Sequence, residues 1–428
     1  MPPDDGTELP PSLASDGPPI APAAPEGLLE FCQSNAAFLL AGFVISFTSS
    51  FGQTFFIALF AGEIMEAFTL TDGGWGLFYA AATATSALTM VWAGGIVDHF
   101  RVRHLAIAVS FMLALACLSM AVAGSVMALF GTIFLLRLLG LGLMSQLAIV
   151  AMSRWFVRSR GKALSVASMG FALGQAVLPV IFVAALAVVS WRTLWVVAAA
   201  AVLLPLPLVV RLLRAERTPQ SLTGSQDAAG MGARHWTRGE MLRHPLFWMI
   251  VPLLLGPPSF GTALFFHQVH LAETKGWALV DYVALLPLFT AAVIAATFWS
   301  GAAIDRAGSA RIMALFLLLY AAGFGVLATA ESLWGAALAL GLIGLGSGMQ
   351  ATAPAAFWAE FYGTRHLGAI KAMAAAVMVL GTAVGPGLTG TLIDAGHSLP
   401  AQMPAFAAYF VLAALLAGVG MMRARLRP

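Results

Sequence analysis

Charged residues are scarce in this chain, and cysteines are scarcer still. Of the 428 residues, 10% are charged and 60% are apolar, whereas soluble domains carry about 25% charged residues. The two cysteines, Cys32 and Cys117, are too few for a disulfide framework and are not placed to bind a metal. A packed core cannot absorb so large an apolar surplus. The composition therefore predicts that lipid is the solvent for most of the chain.

Sequence motifs of catalysis are also missing. The chain has no GxxxxGK loop of the kind that ATP-driven pumps use, and it has neither HExxH nor GxSxG. The glycine-rich stretch 344–348 is not preceded by a strand or followed by a phosphate-binding lysine. These absences predict a protein that is not an enzyme and holds no cofactor or metal. The net charge of +3 is too small to indicate a nucleic-acid-binding surface.

The N-terminal segment lacks what a signal peptide needs. Residues 1–30 contain no Lys or Arg and do not begin with an apolar run. They are rich in Pro, Asp, Ser and Ala, a composition typical of disordered segments. We therefore expect a disordered cytoplasmic tail over 1–30.

Apolar stretches of membrane-spanning length fill most of the remaining chain. A bilayer core of about 30 Å needs about 20 apolar residues per helix. Two of the gaps between stretches are so short that only tight helical hairpins fit. The pattern predicts an all-α membrane protein with twelve transmembrane helices, near 36–60, 73–97, 104–124, 126–151, 162–188, 191–213, 245–271, 279–304, 310–330, 332–358, 367–393 and 402–423.

The basic residues predict the orientation of these helices. Nineteen of the 22 Lys and Arg residues fall on one side of the membrane if the N-terminus is cytoplasmic. Only Arg192 and Lys275 fall on the other side, and Arg137 lies within a span. Because basic residues concentrate in cytoplasmic loops, we expect a multi-pass protein of the cell inner (plasma) membrane with both termini cytoplasmic.

The two halves of the chain repeat each other at an offset of 207 residues. Gly94 and Asp98 correspond to Gly301 and Asp305. Further matched pairs are Arg158 and Arg365, Gly161 and Gly368, Gly174 and Gly381, and Pro179 and Pro386. The repeat predicts two pseudo-symmetric six-helix bundles over 31–213 and 245–423, joined by a cytoplasmic central loop over 214–244 and followed by a short tail over 424–428. Secondary transporters use such repeats to alternate the access to a central site.

Two loop sequences carry a family resemblance. GGIVDHFRVRH after the second span and GAAIDRAGSAR after the eighth resemble the two copies of the loop signature of the major facilitator superfamily. The first copy departs from the pattern, because His99 replaces a basic residue and Phe100 and Arg101 stand in place of a glycine step. The resemblance implies the major facilitator fold. It also implies a cytoplasmic gating latch, to which Asp98, Arg101, Asp305 and Arg306 are assigned; the alternative is that these charges only set the topology.

Three further stretches resemble one branch of that superfamily. They are GQTFFIALFAGEI, RWFVRSRGKALS and WAEFYGTRHLGAIKA, and they are similar to the monocarboxylate and oxalate/formate exchangers. That branch carries organic anions, so the resemblance implies a small organic anion as the substrate.

The strongest candidate for a binding residue is Arg137. No Asp or Glu lies in the middle of any predicted span, whereas Arg137 lies about eleven residues into the fourth. Ionisable groups at membrane depth are costly and usually functional. A guanidinium holds a carboxylate in a bidentate fork, which predicts that an anionic substrate is its partner. The alternative is that Arg137 hydrogen-bonds the backbone of a neighbouring helix.

Polar residues at similar depth complete the predicted site. Gln175 is expected beside Arg137, because the fourth and fifth helices run in opposite directions. Gln53 and Thr54 are expected to line the cavity from the first helix, or alternatively to hydrogen-bond between helices. Gln350 and Thr382 are the corresponding candidates in the second half.

His267 and His270 lie near the outer end of the seventh span. Histidine titrates near physiological pH, so a proton-coupled gate is one interpretation of this pair. The alternative is a hydrated vestibule in which both rings only form hydrogen bonds.

These observations favour a monomeric secondary transporter of a small organic anion. Uniport, exchange and proton symport all remain open. One alternative is proton-driven efflux of hydrophobic compounds, with aromatic residues such as Trp75, Tyr79, Trp299 and Trp358 lining the cavity. Another is a membrane receptor or assembly factor that does not transport.

Overall fold

The computed structural model describes residues 28–93, 100–156, 160–214, 230–363 and 365–426, and these are almost entirely helical. A short helix, Leu28–Ser34, belongs to a small separate unit at the N-terminus, and residues 37–428 form one compact unit. The main helices are α1 (Ala36–Gly52 and Thr54–Phe68), α2 (Asp72–Ala93), α3 (Val102–Val122), α4 (Val126–Leu136, Arg137–Met144 and Ser145–Trp155), α5 (Arg160–Leu186), α6 (Trp191–Leu203 and Leu206–Leu212), α7 (Pro245–Phe266 and Gln268–Lys275), α8 (Leu279–Val283 and Leu286–Ala307), α9 (Ser309–Thr329), α10 (Leu333–Tyr362), α11 (Leu367–Asp394) and α12 (Leu399–Leu426).

The described residues confirm the predicted all-α membrane fold. Ten helices are long and apolar enough to cross a bilayer, and the two bent segments of α1 supply an eleventh span. The remaining helix, α2, has 22 residues, enough for a bilayer core, although its glycines and threonines make it less apolar than the others. The two tight hairpins are also present, between Val122 and Val126 and between Thr329 and Leu333.

Serines begin the helices that follow these hairpins. Ser125 precedes α4 and accepts a hydrogen bond from the backbone N–H of Ala128. Ser332 precedes α10 and accepts one from Gly335. Each hydroxyl satisfies a backbone donor that the first helical turn leaves without a partner. Such capping lets a helix begin within a turn of the previous helix at the membrane surface.

Helix α1 differs from the single span predicted over 36–60. It continues to Phe68, and it bends by 48° at a break between Gly52 and Thr54. Gln53 adopts an extended conformation with ψ 154°, so the helical hydrogen bonding stops there. Gly52 packs so closely against α4 that an added Cβ would collide with the carbonyl oxygen of Leu136. The break therefore lies where α1 crosses α4 at van der Waals distance from its backbone.

The ends of the helices fall into two chemically distinct groups. The basic end carries Arg101, Arg214, Arg243, Arg311 and Arg423, and the acidic end carries Glu66, Asp72, Glu273, Glu331 and Asp394. This segregation is the one that the sequence predicts for cytoplasmic and outer surfaces.

The described part of the central loop contains a helix of its own, Arg238–Arg243. Thr237 and Glu240 form a reciprocal capping box at its start. The pKa of the Glu240 carboxyl is lowered because it accepts hydrogen bonds from the backbone N–H and the hydroxyl of Thr237. Glu240 also pairs with Arg234 at 3.0 Å. The loop predicted over 214–244 is thus partly ordered where the structure describes it.

Helices from the two halves of the chain pack against each other. Helix α2 lies along α11, and α5 lies along α8. Near the acidic end, an added Cβ on Gly76 of α2 would collide with the carbonyl oxygen of Pro386 in α11. Small residues permit such close crossings of membrane helices. This contact brings the two halves together at the acidic end.

Candidate functional site

Arg137 lies at the break in α1. Its side chain is 2% exposed, and its Nη1 donates a hydrogen bond of 3.1 Å to the carbonyl oxygen of Gly52. That oxygen precedes the break, where the regular helical acceptor pattern of α1 is interrupted. The Nε atom of Arg137 is buried without a hydrogen-bond partner. Arg137 therefore links α4 to α1 through one donor and keeps another donor unsatisfied.

An aromatic ring and a hydroxyl complete the surroundings of the guanidinium. Arg137 Cζ lies 5.4 Å from the ring centroid of Tyr79, within the range of a cation–π interaction. The Tyr79 hydroxyl donates to Thr54 Oγ1 at 2.9 Å. The ring of Tyr79 also packs on Phe266 of α7, with centroids 4.6 Å apart. Helices α1, α2, α4 and α7 thus meet around one buried positive charge.

A local change in helix geometry accompanies Arg137. Residues Arg137–Met144 form a π-helical segment inside α4, a feature that is frequent at functional sites. Gly140 within this segment packs against Gly52, and an added Cβ on Gly140 would come within 2.6 Å of Gly52 Cα. The widened turn and the paired glycines bring the two helix backbones together beside the guanidinium.

The other predicted site residues of the first half occupy different surroundings. Gln53 is buried and its Nε2 lies 3.5 Å from Ser145 Oγ in α4, so it takes part in an interhelical contact. Gln175 is half-buried in α5, where neighbouring Gly174 packs against Ser50 of α1. No hydrogen bond joins Gln175 to Arg137 among the described residues. The structure therefore brings Thr54 and Gln53 to the break in α1, and the position of Gln175 beside Arg137 stays a prediction.

The second half contains a separate polar cluster. Tyr320 of α9 donates to Gln350 Oε1 at 2.9 Å, and its hydroxyl lies 2.8 Å from Ser347 Oγ. Gln350 is half-buried. Thr382 donates only to the carbonyl oxygen of Val379 in its own helix. The predicted residue Gln350 is thus held by hydrogen bonding between α9 and α10.

The acidic end holds a cluster that joins the two halves. Asp72 of α2 lies 3.7 Å from His267 Nδ1 and 3.7 Å from His270 Nδ1 of α7. His267 Nε2 lies 3.0 Å from the carbonyl oxygen of Pro386. Because that oxygen can only accept, Nε2 must carry a proton, and a neutral ring would then present an unprotonated Nδ1 to the Asp72 carboxylate. The contact is therefore attractive only when His267 carries a second proton.

Further hydrogen bonds reinforce this junction. Thr71 Oγ1 donates to Asp394 Oδ2 at 2.7 Å, linking the first half to α11. Gln268 is fully buried, and its Nε2 donates to the carbonyl oxygen of Phe55 at 3.2 Å. The sequence pointed to the histidines but missed Asp72 and Asp394, because carboxylates at the ends of spans read as loop charges. The role of Asp72 and Asp394 becomes visible only in the fold, where α2 packs beside α7 and α11.

The predicted latch residues that the structure describes, Arg101 and Arg306, lie at the basic end. Asp98 lies outside the described residues, and so does the side chain of Asp305. Arg101 and Arg306 are exposed. The pairing of Asp98 and Asp305 with basic residues therefore stays a prediction. The described residues include no group of three or more His, Cys, Asp or Glu side chains placed to hold a metal ion.

Comparisons with known proteins agree with this fold. The family described as Major Facilitator Superfamily matches residues 42–306. A crystal structure of a bacterial homologue of the human lysosomal transporter Spinster, inward-facing and unoccupied, superposes with a TM-score of 0.64 at 16% identity, covering 92% of this chain and 95% of that one. A structure of a variant of the nucleoside transporter NupG gives a TM-score of 0.66 at 12% identity, covering 90% and 99%. A search of curated proteins finds no match.

Proposed function

We propose that this chain, which belongs to the Major Facilitator Superfamily, moves a small organic anion across the membrane by alternating access. Membership makes the chain a multi-pass transport protein rather than an enzyme, with a small-molecule substrate and a lipid bilayer as its surroundings. The anionic character of the substrate, with a mono- or dicarboxylate as the simplest form, is the proposal.

The buried charge of Arg137 carries this proposal. Among the described residues, the partners of its guanidinium are a carbonyl oxygen and an aromatic ring, and neither neutralises the charge. Burial of a charge without a counter-charge is costly. A carboxylate of the substrate would supply that counter-charge and would also accept from the unsatisfied Nε. Arg137 is therefore both a link between helices and the group best suited to select an anion.

The remaining predicted residues take supporting roles in this proposal. Thr54 and Gln53 lie at the break in α1, beside Arg137, and would contact the substrate once α1 and α4 separate. Gln175, Gln350 and Thr382 would complete the polar lining from the facing helices. The similarity of three sequence stretches to monocarboxylate and oxalate/formate exchangers supports the same substrate class.

Protons are the proposed coupling ion. The contact of Asp72 with His267 and His270 joins the two halves at the acidic end, so a proton gained or lost by this cluster would act on the opening of that end. Asp98, Arg101, Asp305 and Arg306 are proposed to latch the basic end. The distribution of basic residues supports an inner-membrane location with both termini cytoplasmic, and a monomer is the simplest transporting unit of this fold.

The test of the anion site is ligand-dependent thermal stability of the purified protein in detergent. Ligands that bind only the folded state raise the melting temperature. The panel contains monocarboxylates, dicarboxylates and hydrophobic drugs. We expect a carboxylate to raise the melting temperature of the wild type fully and that of Arg137→Lys by a smaller amount. The same carboxylate should leave the melting temperature of Arg137→Gln unchanged.

Arg192 provides a matched control. Its Nη1 donates to the carbonyl oxygens of Ala121 and Ala123 at 2.9 Å, so it is a structural arginine at the acidic end. Arg192→Gln should lower the melting temperature without abolishing the carboxylate-dependent rise. Flux of the stabilising compound into proteoliposomes then tests transport itself.

Two results would redirect the proposal. Stabilisation by hydrophobic compounds alone, unaffected by Arg137→Gln, would indicate efflux of such compounds and would leave Arg137 as a purely structural link. A stabilising carboxylate without any flux would indicate a receptor on the same fold.

A further inference from the structure

A groove opens between α8 and α9 at their basic ends, away from the site around Arg137. Its volume is about 390 Å³. The lining residues come from one face of each helix and include Trp299, Ala303, Arg306, Ala307, Arg311 and Leu315. The two helices are joined by a single residue, Gly308 with φ +81°, so the groove lies directly beneath a tight turn.

Two arginines form the polar wall of this groove. Arg306 and Arg311 are both exposed, and neither forms a hydrogen bond or an ion pair among the described residues. The acid packed near this turn, Glu360, accepts hydrogen bonds from the backbone and hydroxyl of Ser309 at 3.2 Å and 2.5 Å. The two guanidinium groups therefore carry two positive charges and together have ten N–H donors that can bind anionic oxygens.

The other wall of the groove is apolar and runs toward the membrane interior. Trp299 is 53% exposed and Leu315 is 37% exposed. Trp299 precedes Arg306 by two helical turns, which corresponds to about 10 Å along α8. Tryptophan is enriched where the headgroup region meets the acyl chains. The groove thus offers charge at the depth of a headgroup and an apolar surface at the depth of an acyl chain.

We infer that this groove binds one anionic glycerophospholipid, with its phosphate on Arg306 and Arg311 and an acyl chain along Trp299 and Leu315. Basic pockets between membrane helices on the cytoplasmic side suit anionic headgroups, and each basic side chain contributes about 1 kcal/mol. The two guanidinium groups act together on one phosphate, and each adds positive charge and hydrogen-bond donors to the contact.

The first half of the chain supports this assignment by contrast. At the 207-residue offset, Trp92 aligns with Trp299, whereas His99 and His104 align with Arg306 and Arg311. The repeat therefore keeps the tryptophan, whereas histidines stand in the first half at the positions where the groove of the second half has its two arginines.

The test is native mass spectrometry of the detergent-purified full chain with phosphatidylglycerol, phosphatidylcholine and soluble glycerol 3-phosphate. We expect phosphatidylglycerol adducts to form preferentially and to weaken by about fivefold for each arginine removed, or about 30-fold in the variant with Arg306→Gln and Arg311→Gln. The variant with Arg306→Lys and Arg311→Lys should retain most of the binding. Arg238→Gln, an exposed basic-end substitution outside the groove, should change nothing.

Three outcomes would overturn the inference. The first is equal binding of phosphatidylglycerol by the wild type and the double Gln variant, which would leave the arginines with a role in topology only. The second is binding of glycerol 3-phosphate at the same concentration as the lipid, which would indicate a site for free phosphate compounds. The third is equal binding of phosphatidylcholine, which would remove the requirement for a net negative headgroup.

Discussion

The cluster at the acidic end gives a prediction with a defined sign. Asp72 belongs to the first half of the chain, and it contacts His267 and His270 of the second half at 3.7 Å each. Because His267 Nε2 is held by the carbonyl oxygen of Pro386, its Nδ1 attracts Asp72 only in the doubly protonated ring. Acidification should therefore favour contact between the halves at this end, and Asp72→Asn should remove that dependence.

The magnitude follows from the burial of the three side chains. His267 is 1% exposed, whereas Asp72 and His270 are 23% and 21% exposed, so solvent screens the pairs in part. Partly exposed ion pairs contribute at most about 1 kcal/mol each. The pair with His267 is the one that needs the second proton, and it gives at most about 1 kcal/mol, which is about a fivefold change in the ratio of closed to open acidic ends.

Spin-label distances between the halves measure this ratio. Val188 and Trp334 are 85% and 87% exposed and lie at the acidic ends of the first and second halves, so they suit a pair of labelled cysteines. Cys32→Ser and Cys117→Ala remove the native thiols. Distance distributions recorded at about pH 8 and pH 5.5 bracket the ordinary titration range of histidine.

We expect the wild type to shift toward the short distance at the lower pH and Asp72→Asn to shift little. Glu331→Gln is the matched control, because Glu331 is an exposed carboxylate at the same end and lies outside the cluster. An equal pH response in Asp72→Asn and the wild type would refute the assignment of this pH-dependent contact to the Asp72 carboxylate.

Two further predictions concern packing and polar contacts within the membrane. Gly140→Ala places a methyl group against the backbone of Gly52, so it should lower the melting temperature by several degrees. Gly131→Ala should leave the melting temperature unchanged, because Gly131 has no neighbour within 4 Å. Equal shifts of the two variants in a thermal scan would contradict the close crossing of α1 and α4. Tyr320→Phe removes the hydrogen bond to Gln350 and should cost about 1 kcal/mol, as measured by unfolding in mixed micelles; an unchanged unfolding midpoint would show that this contact contributes nothing to stability.

Apolar runs predicted the spans of this protein well because lipid imposes a simple length requirement. The two shortest gaps correctly predicted the turns before Val126 and Leu333. Arg137, which the sequence places within the fourth span, is buried in α4. Such features depend on the sequence of a single helix, and a hydropathy pattern describes each helix separately.

Contacts between helices were less accessible to sequence reasoning. The break at Gln53 carries no proline and lies where two glycines on different helices approach each other. The π-helical segment after Arg137 has no compositional signal of its own. In the sequence, Asp72 has the character of a loop carboxylate, and its contact with the histidines of α7 is visible only in the structure. These features depend on which helices are neighbours, and a hydropathy pattern leaves that open.

The hydrogen bond from Arg137 to Gly52 has a mechanical consequence. If an incoming carboxylate takes Nη1 of Arg137 as well as the free Nε, the carbonyl oxygen of Gly52 loses its donor. That oxygen can then be satisfied by straightening α1, since removing the break restores a helical donor four residues along. A ligand that takes Nη1 would therefore replace the carbonyl oxygen of Gly52 as its partner and release the 48° bend. In this way a competition for a single donor would convert the arrival of a small anion into a change in the direction of a whole helix.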